Sequence, residues 1–377
     1  LLYKIYSFFL IVMIASKSFA SNIIVGNLGS KIEGEVISTF NYPWSFSFLD
    51  NDHLLVATKP GKLWLLDSAG SKTEVKNMVS VEYGGQGGMG DIVPHPNYSE
   101  NHYVYLSYIT SDDGGQTRYA VVDQAILHDL SFPVLENVER IWEQFPAVKG
   151  KGHFSHRIAL GPKGSAHENK IFITSGDRQM QYPAQMWETN FGKVIRLNED
   201  GSIPHDNPFK NQGELAKTFW TTGHRNALGL AFDQENNLWA NEMGPRHGDE
   251  LNLIVPGSNY GWPLVSEGNH YSGAVIPSHD TRPEFTAPVA YWVPTLAPSG
   301  LTFYKGKEFK DWQGQALLGA LKGKSLVRLK FKGQKVTEEE RFSWRVRVRD
   351  VEVQKNGSIW VIEDGSNARL IKFTSPN

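Results

Sequence analysis

The chain has 377 residues, 40% hydrophobic and 21% charged, with 38 Lys and Arg against 40 Asp and Glu for a net charge of −2. This is enough apolar material for a sizeable core, which excludes global disorder, and the lack of a basic excess argues against nucleic acid as a partner. Because the sequence contains no cysteine, disulfides, thiolate-bound zinc, iron–sulfur clusters and thiol nucleophiles are excluded together.

Residues 1–20 read as a signal peptide. Lys4 precedes an apolar run from Ile5 to Ala15, and Ser18-Phe19-Ala20 supplies the small residues of a cleavage site. The run is shorter than the roughly 20 residues of a membrane span. The expectation is cleavage after Ala20, no membrane span thereafter, and a periplasmic or secreted protein. Residues 21–377 form the folded domain.

That domain repeats one unit six times, at Ser45–Asp67, Asp91–Tyr108, Arg157–Leu197, Gly229–Val255, Ser299–Lys332 and Asp350–Phe373. Each unit is a short alternating strand, a turn rich in Asp, Asn, Pro or Gly, and further apolar strands. The period of two marks half-buried β-structure, and no stretch carries a capped helical period. Spacings of roughly 45 to 70 residues suit propeller blades with loop insertions. Radial stacking protects the edges of such sheets and leaves a central channel. The predicted fold class is all-β, a six-bladed β-propeller, with a pair of β-sandwiches as the other architecture these strands allow.

The polar motifs fall between the units. Gly85, Gly87 and Gly90 spell G-x-G-x-x-G, but Pro94 and Pro96 forbid the helix a dinucleotide site needs. The glycines instead let backbone approach a flat ligand, with Gln86 as the hydrogen-bonding side chain. His153 and His156 precede the third unit, where a His near neutral pKa can serve as a general base or simply fill space. A zinc site there would need His224 or His247 as a further ligand. Arg225 and Asn226 enter the fourth unit, and Gly244, Pro245 and Glu250 follow its second strand. Arg presents a donor fork for quinone or carboxylate oxygens, while constrained Gly and Pro carbonyls plus Glu suit calcium. A structural pairing of an Arg with Asp249 or Glu250 is the plainer reading. Lys322 and the run Arg345, Arg347, Arg349 add cations; alternation places these three arginines on one strand face, where they repel unless an anion or acidic partner intervenes.

The segments GQGGMGDIVPHPNY, GKVIRLNEDGSIPHDNPF, GHRNALGLAFD, EMGPRHGDELNLIVPGSNYGWP, APSGLTFYKG and RVRVRDVEVQKNGSIWVIED resemble the soluble aldose sugar dehydrogenases of the glucose/sorbosone dehydrogenase family. The likeness runs from about Thr39 to the C-terminus. It implies a six-bladed propeller with pyrroloquinoline quinone (PQQ) on its top face and calcium beside it. It also implies oxidation of an aldose to a lactone, with electrons passed to an external acceptor by a monomer or homodimer. Carried over by position, His153 is the catalytic base, and Arg225 stabilises charge on the reacting oxygen. Gln86, Arg225, Asn226, Lys322, Arg347 and Arg349 contact the quinone. Gly244 and Pro245 hold calcium through their carbonyls, and Glu250 and Tyr260 match ligands of a second, structural calcium. Departures are Gly152, where some relatives have an Asp beside the base, His156, where small residues are usual, and Tyr291-Trp292-Val293-Pro294, which lacks the usual Trp-Pro pairing. They lead to the expectations of a less oriented base and of a His156 that alters the sugars accepted. A calcium-dependent propeller lactonase and a noncatalytic glycan- or protein-binding propeller are the alternatives.

Overall fold

The computed structural model describes residues 22–376; the expected signal peptide lies outside the described residues. These form six antiparallel sheets. The first blade is built from strands Pro43–Phe48, Leu54–Thr58, Lys62–Leu66 and Lys72–Glu74. The innermost strands of the next four begin at Met89, Ser155, Ala227 and Pro298. The sixth blade combines both ends of the chain. Val348–Val353, Ile359–Glu363 and Ala368–Thr374 are joined by Lys31–Phe40, which pairs with the last of them from Glu33↔Thr374 to Phe40↔Ala368. Each innermost strand packs on the next, and the sixth returns to the first, closing the ring. The six repeats read from sequence coincide with the inner strands of the six blades. One four-residue α-helix, Tyr98–Asn101, is present among the described residues, and no helix there is long and apolar enough to cross a membrane.

Alternation explains the packing. Along Leu54–Thr58, Leu55 and Ala57 face the second blade while Leu54 and Val56 face the sixth. Because successive strand side chains point to opposite faces, every blade shares one apolar layer with each neighbour. Six such interblade clusters make up the core.

The channel is plugged by charge. Arg157 donates to Asp91 at 3.0 Å, to Asp350 at 3.1 Å and to the Leu228 carbonyl at 2.8 Å, with its guanidinium 4.2 Å from the Trp44 ring centroid. The carboxylates also accept from the backbone N–H groups of Ile158 and Phe46. One arginine thereby ties together five innermost strands.

Every innermost strand starts at the same end of the ring, and every second strand finishes there. The sequence motifs sit at those starts and finishes, so one face collects all of them.

Candidate active site

A cavity of about 320 Å³ opens on that face, lined by Lys59, Gln86, Lys322, Arg347 and Arg349 among polar residues, with Trp44, Phe154 and His156. Its size suits a small cofactor. Lys59 follows the second strand of the first blade and donates to the Gly85 carbonyl at 2.8 Å. Arg347 and Arg349 both donate to Asp364, at 2.7 and 2.7 Å. The strand begins only at Val348, and Arg345 lies before it with φ 65°. The expected three-arginine face is therefore corrected to two arginines sharing one carboxylate. Burial, then the nearby Arg349, lowers the pKa of Lys59, and burial lowers that of Arg349 despite Asp364. Neighbouring cations that depress one another favour an anion between them.

A second pocket adjoins, lined by His153, Asp177, Gln179, Gln181, Arg225, Pro245, Trp262, His270 and Tyr271. His153 Nδ1 lies 2.7 Å from Asp177 Oδ1, which also accepts from the Gln179 amide at 2.8 Å. The other oxygen, Oδ2, accepts from Trp262 Nε1 at 2.7 Å. A carboxylate surrounded by donors takes the imidazole's Nδ1–H, so Nε2 carries the lone pair. Burial lowers the pKa of His153, with Asp177 opposing and Arg225 adding to the effect; the ring is neutral at neutral pH. The His153 amide donates to Gln86 Oε1 at 2.8 Å, so Gln86 spends its carbonyl on positioning His153. The expectation that Gly152 leaves the base poorly oriented is corrected: Asp177, 24 residues on, orients it.

Arg225 belongs to this second pocket rather than the cation-lined cavity. It pairs with neither Asp249 nor Glu250. Its guanidinium donates to the Met243 carbonyl at 2.9 Å and lies over Trp262, and its buried Nε has no partner among the described residues. Asn226 Nδ2 is likewise buried and unpaired there, while its Oδ1 accepts from Ser155. Asp249 is committed to the backbone of Leu296 and Ala297 and to the Gly244 amide.

A third, tight space of about 10 Å³ lies between Gly244, Pro245, Glu242, Glu250 and Tyr260, room for one water or ion. Glu242 is held low in pKa by His224, 2.9 Å away, against the upward pull of burial, whereas burial and Glu242 push Glu250 well above the usual carboxylate range. Tyr260 spends its hydroxyl on Leu253 and Val255, leaving its carbonyl, which meets His279 Nε2 at 3.1 Å. The Gly244 and Pro245 carbonyls accept no hydrogen bond among the described residues. A Cβ on Gly244 would stand 2.2 Å from the His247 and Gly248 carbonyl oxygens, so this turn requires glycine. His224 and His247 bond to Glu242 and Thr295 rather than approaching His153, and no group of three or more His, Asp or Glu side chains is placed to hold a metal among the described residues.

The sequence profile of the family described as Glucose / Sorbosone dehydrogenase matches residues 40–372. The chain belongs to the glucose/sorbosone dehydrogenase family. It is 34% identical to the aldose sugar dehydrogenase YliI of Escherichia coli, over 89% of this chain and 91% of that protein. The crystal structure of the soluble aldose sugar dehydrogenase of Escherichia coli in its apo-form superposes with a TM-score of 0.85 at 31% identity, covering 92% of this chain and all of the other. The PQQ-bound aldose sugar dehydrogenase of Streptomyces coelicolor superposes at 0.73 and 26% identity, covering 92% and 98%. As a family member the chain is an oxidoreductase of the sugar-dehydrogenase class. Asp177, Lys59, Asp364 and Trp262 are the site residues that sequence reasoning missed. Lys59 directly follows a second strand, and Lys322 lies one residue further along in its own blade, so comparison of the repeats was the available signal.

Proposed function

We propose that the chain is a PQQ- and calcium-dependent dehydrogenase that oxidises an aldose at its anomeric carbon to a lactone and passes the electrons to an external acceptor. One observation carries the reading: a cavity with four cations, Lys59, Lys322, Arg347 and Arg349, opens beside a pocket holding a neutral His153 backed by Asp177. The donor set fits the cofactor. PQQ is a flat tricarboxylate, and the cavity wall presents the cations Lys59, Lys322, Arg347 and Arg349 to it. The uncommitted Gly244 and Pro245 carbonyls suit a hard cation, and Glu250 with the Tyr260 carbonyl suits a second. When bound, PQQ supplies the electrophilic ortho-quinone that accepts a hydride, and calcium a Lewis acid beside it.

The protein's own groups do the rest. Gln179, Gln181 and His270 offer hydrogen bonds to sugar hydroxyls, and Trp262 and Tyr271 offer ring faces. His153 Nε2 takes the anomeric hydroxyl proton, and Asp177 stabilises the imidazolium so formed. Arg225 disfavours early protonation of His153 and stabilises negative charge developing on an oxygen nearby. Reconstitution of the purified apoprotein tests the proposal. With PQQ and calcium present, an aldose is expected to bleach the oxidised-quinone absorption. A lactonase or a binding propeller gives no such change.

A further inference from the structure

His153, Ser155 and His156 have φ of 49°, 60° and 59°, a left-handed region that non-glycine residues occupy at a cost. Ser155 and His156 line the cation-rich cavity. The sequence placed His156 with sugar selection; the structure moves it to the cofactor cavity. Its ring stacks on Trp44 at 4.9 Å with 13° between planes. It fills space opposite Gly90, where a Cβ would stand 1.9 Å from the imidazole Cε1.

The hydrogen bonds fix its tautomer. Ser107 Oγ accepts from the Asp91 amide at 2.8 Å and lies 2.8 Å from His156 Nδ1. The hydroxyl proton is then best used on Nδ1, which leaves hydrogen on Nε2. Nε2 has no partner among the described residues and is not fully sealed from solvent, and His156 lines the cavity. Burial, with Arg157 next to it, holds the pKa of His156 down to about 3; the ring stays uncharged.

We propose that His156 is a neutral hydrogen-bond donor to the bound cofactor, set into the floor of its cavity by a strained backbone and presented through Nε2–H. The assignment rests on the PQQ reading above. Lys59, Lys322, Arg347 and Arg349 recognise charge anywhere on an anion, whereas a fixed uncharged donor stacked on Trp44 recognises one acceptor atom and so sets the cofactor's orientation.

Equilibrium titration of PQQ with calcium into the apoprotein, followed by tryptophan fluorescence and quinone absorption, tests it. His156→Gly relaxes the backbone and removes the donor. His156→Phe keeps the stacked ring without the N–H. His156→Asn tolerates positive φ and keeps an N–H. Gly and Phe are expected to weaken binding about tenfold or more, the size of a hydrogen bond to a charged partner, and to shift the quinone band, with Asn recovering part of both. Wild-type affinity and spectrum in Gly and Phe overturn the proposal. Equal losses in all three variants reduce His156 to packing and overturn it too. If Phe does not fold, Gly against Asn decides. Failure of the wild-type protein to take up PQQ removes the cofactor reading, and this assignment with it, which separates the two failures.

Discussion

Two groups of cations meet in the ring, and their charge balance differs. In the channel, Arg157 faces Asp91 and Asp350, and burial's downward pull on its pKa is more than reversed by those carboxylates. In the cavity above, Arg347 and Arg349 share Asp364, while Lys59 and Lys322 have no carboxylate partner of their own among the described residues. There, burial and mutual repulsion leave Lys59 and Arg349 lowered. The contrast separates scaffold from site: the plug's arginine is matched by the protein's own carboxylates, and the cavity wall carries a surplus that a bound anion would neutralise. In a chain of net charge −2, that local surplus does not reflect overall composition.

Removing groups from each region should affect different properties of the protein. The largest effect is expected in the pocket beside the cavity. His153→Gln should lower turnover of the reconstituted enzyme about 10²–10⁴-fold, the usual contribution of a general base, with thermal stability and PQQ uptake retained. Steady-state rates with several aldoses and an artificial acceptor check this. Near-normal turnover would remove His153 from the chemistry. In the plug the consequence should fall on stability. Arg157→Met strands two buried carboxylates and should cost about 3–5 kcal/mol, measured by denaturant unfolding. A loss under 1 kcal/mol would show that the plug is not part of the scaffold.

Asp177→Asn sharpens the picture of the base. Both carboxylate oxygens already accept hydrogen bonds, so an NH₂ at either position meets a donor. The variant should lose about 10²-fold or more in turnover as His153 is misdirected. His153 already titrates below its ordinary 6.5, with burial lowering and Asp177 raising its pKa. Wild-type activity should therefore hold from neutrality down past pH 6.5 and fall only in more acid solution. Without the Asp177 charge, the acid limb should move further down. An upward move in the pH–rate profile contradicts this arrangement.

The inner strands were legible because alternation repeats where both faces meet a neighbouring blade. The outer strands were not. Glu136–Glu143 is exposed along most of its length and carries no such pattern, and Lys31–Phe40 pairs with a strand more than 300 residues away. The site divided in the same way. His153, Gln86, Lys322, Arg347 and Arg349 stand in motifs that resemblance could place. Asp177 and Asp364 act through contacts that cross between loops, which sequence spacing does not encode. The alternation that grouped Arg345 with Arg347 and Arg349 presumed a strand already formed there; it starts at Val348.

The smallest effect tests the surplus directly. Lys322 is exposed at the cavity rim after the second strand of the fifth blade and makes no ion pair among the described residues. Removing one of four like charges from an apoprotein costs no native pairing, so Lys322→Ala should change unfolding free energy by no more than about 0.5 kcal/mol. PQQ affinity should nevertheless fall by about 1–3 kcal/mol, the range for a charge-assisted hydrogen bond, and by less at high salt, where the exposed charge is screened. Arg157→Met is expected to do the reverse, losing stability first and affinity only as folding fails. Should Lys322→Ala destabilise the apoprotein as much as it weakens PQQ binding, the surplus is structural, and the distinction between plug and wall disappears.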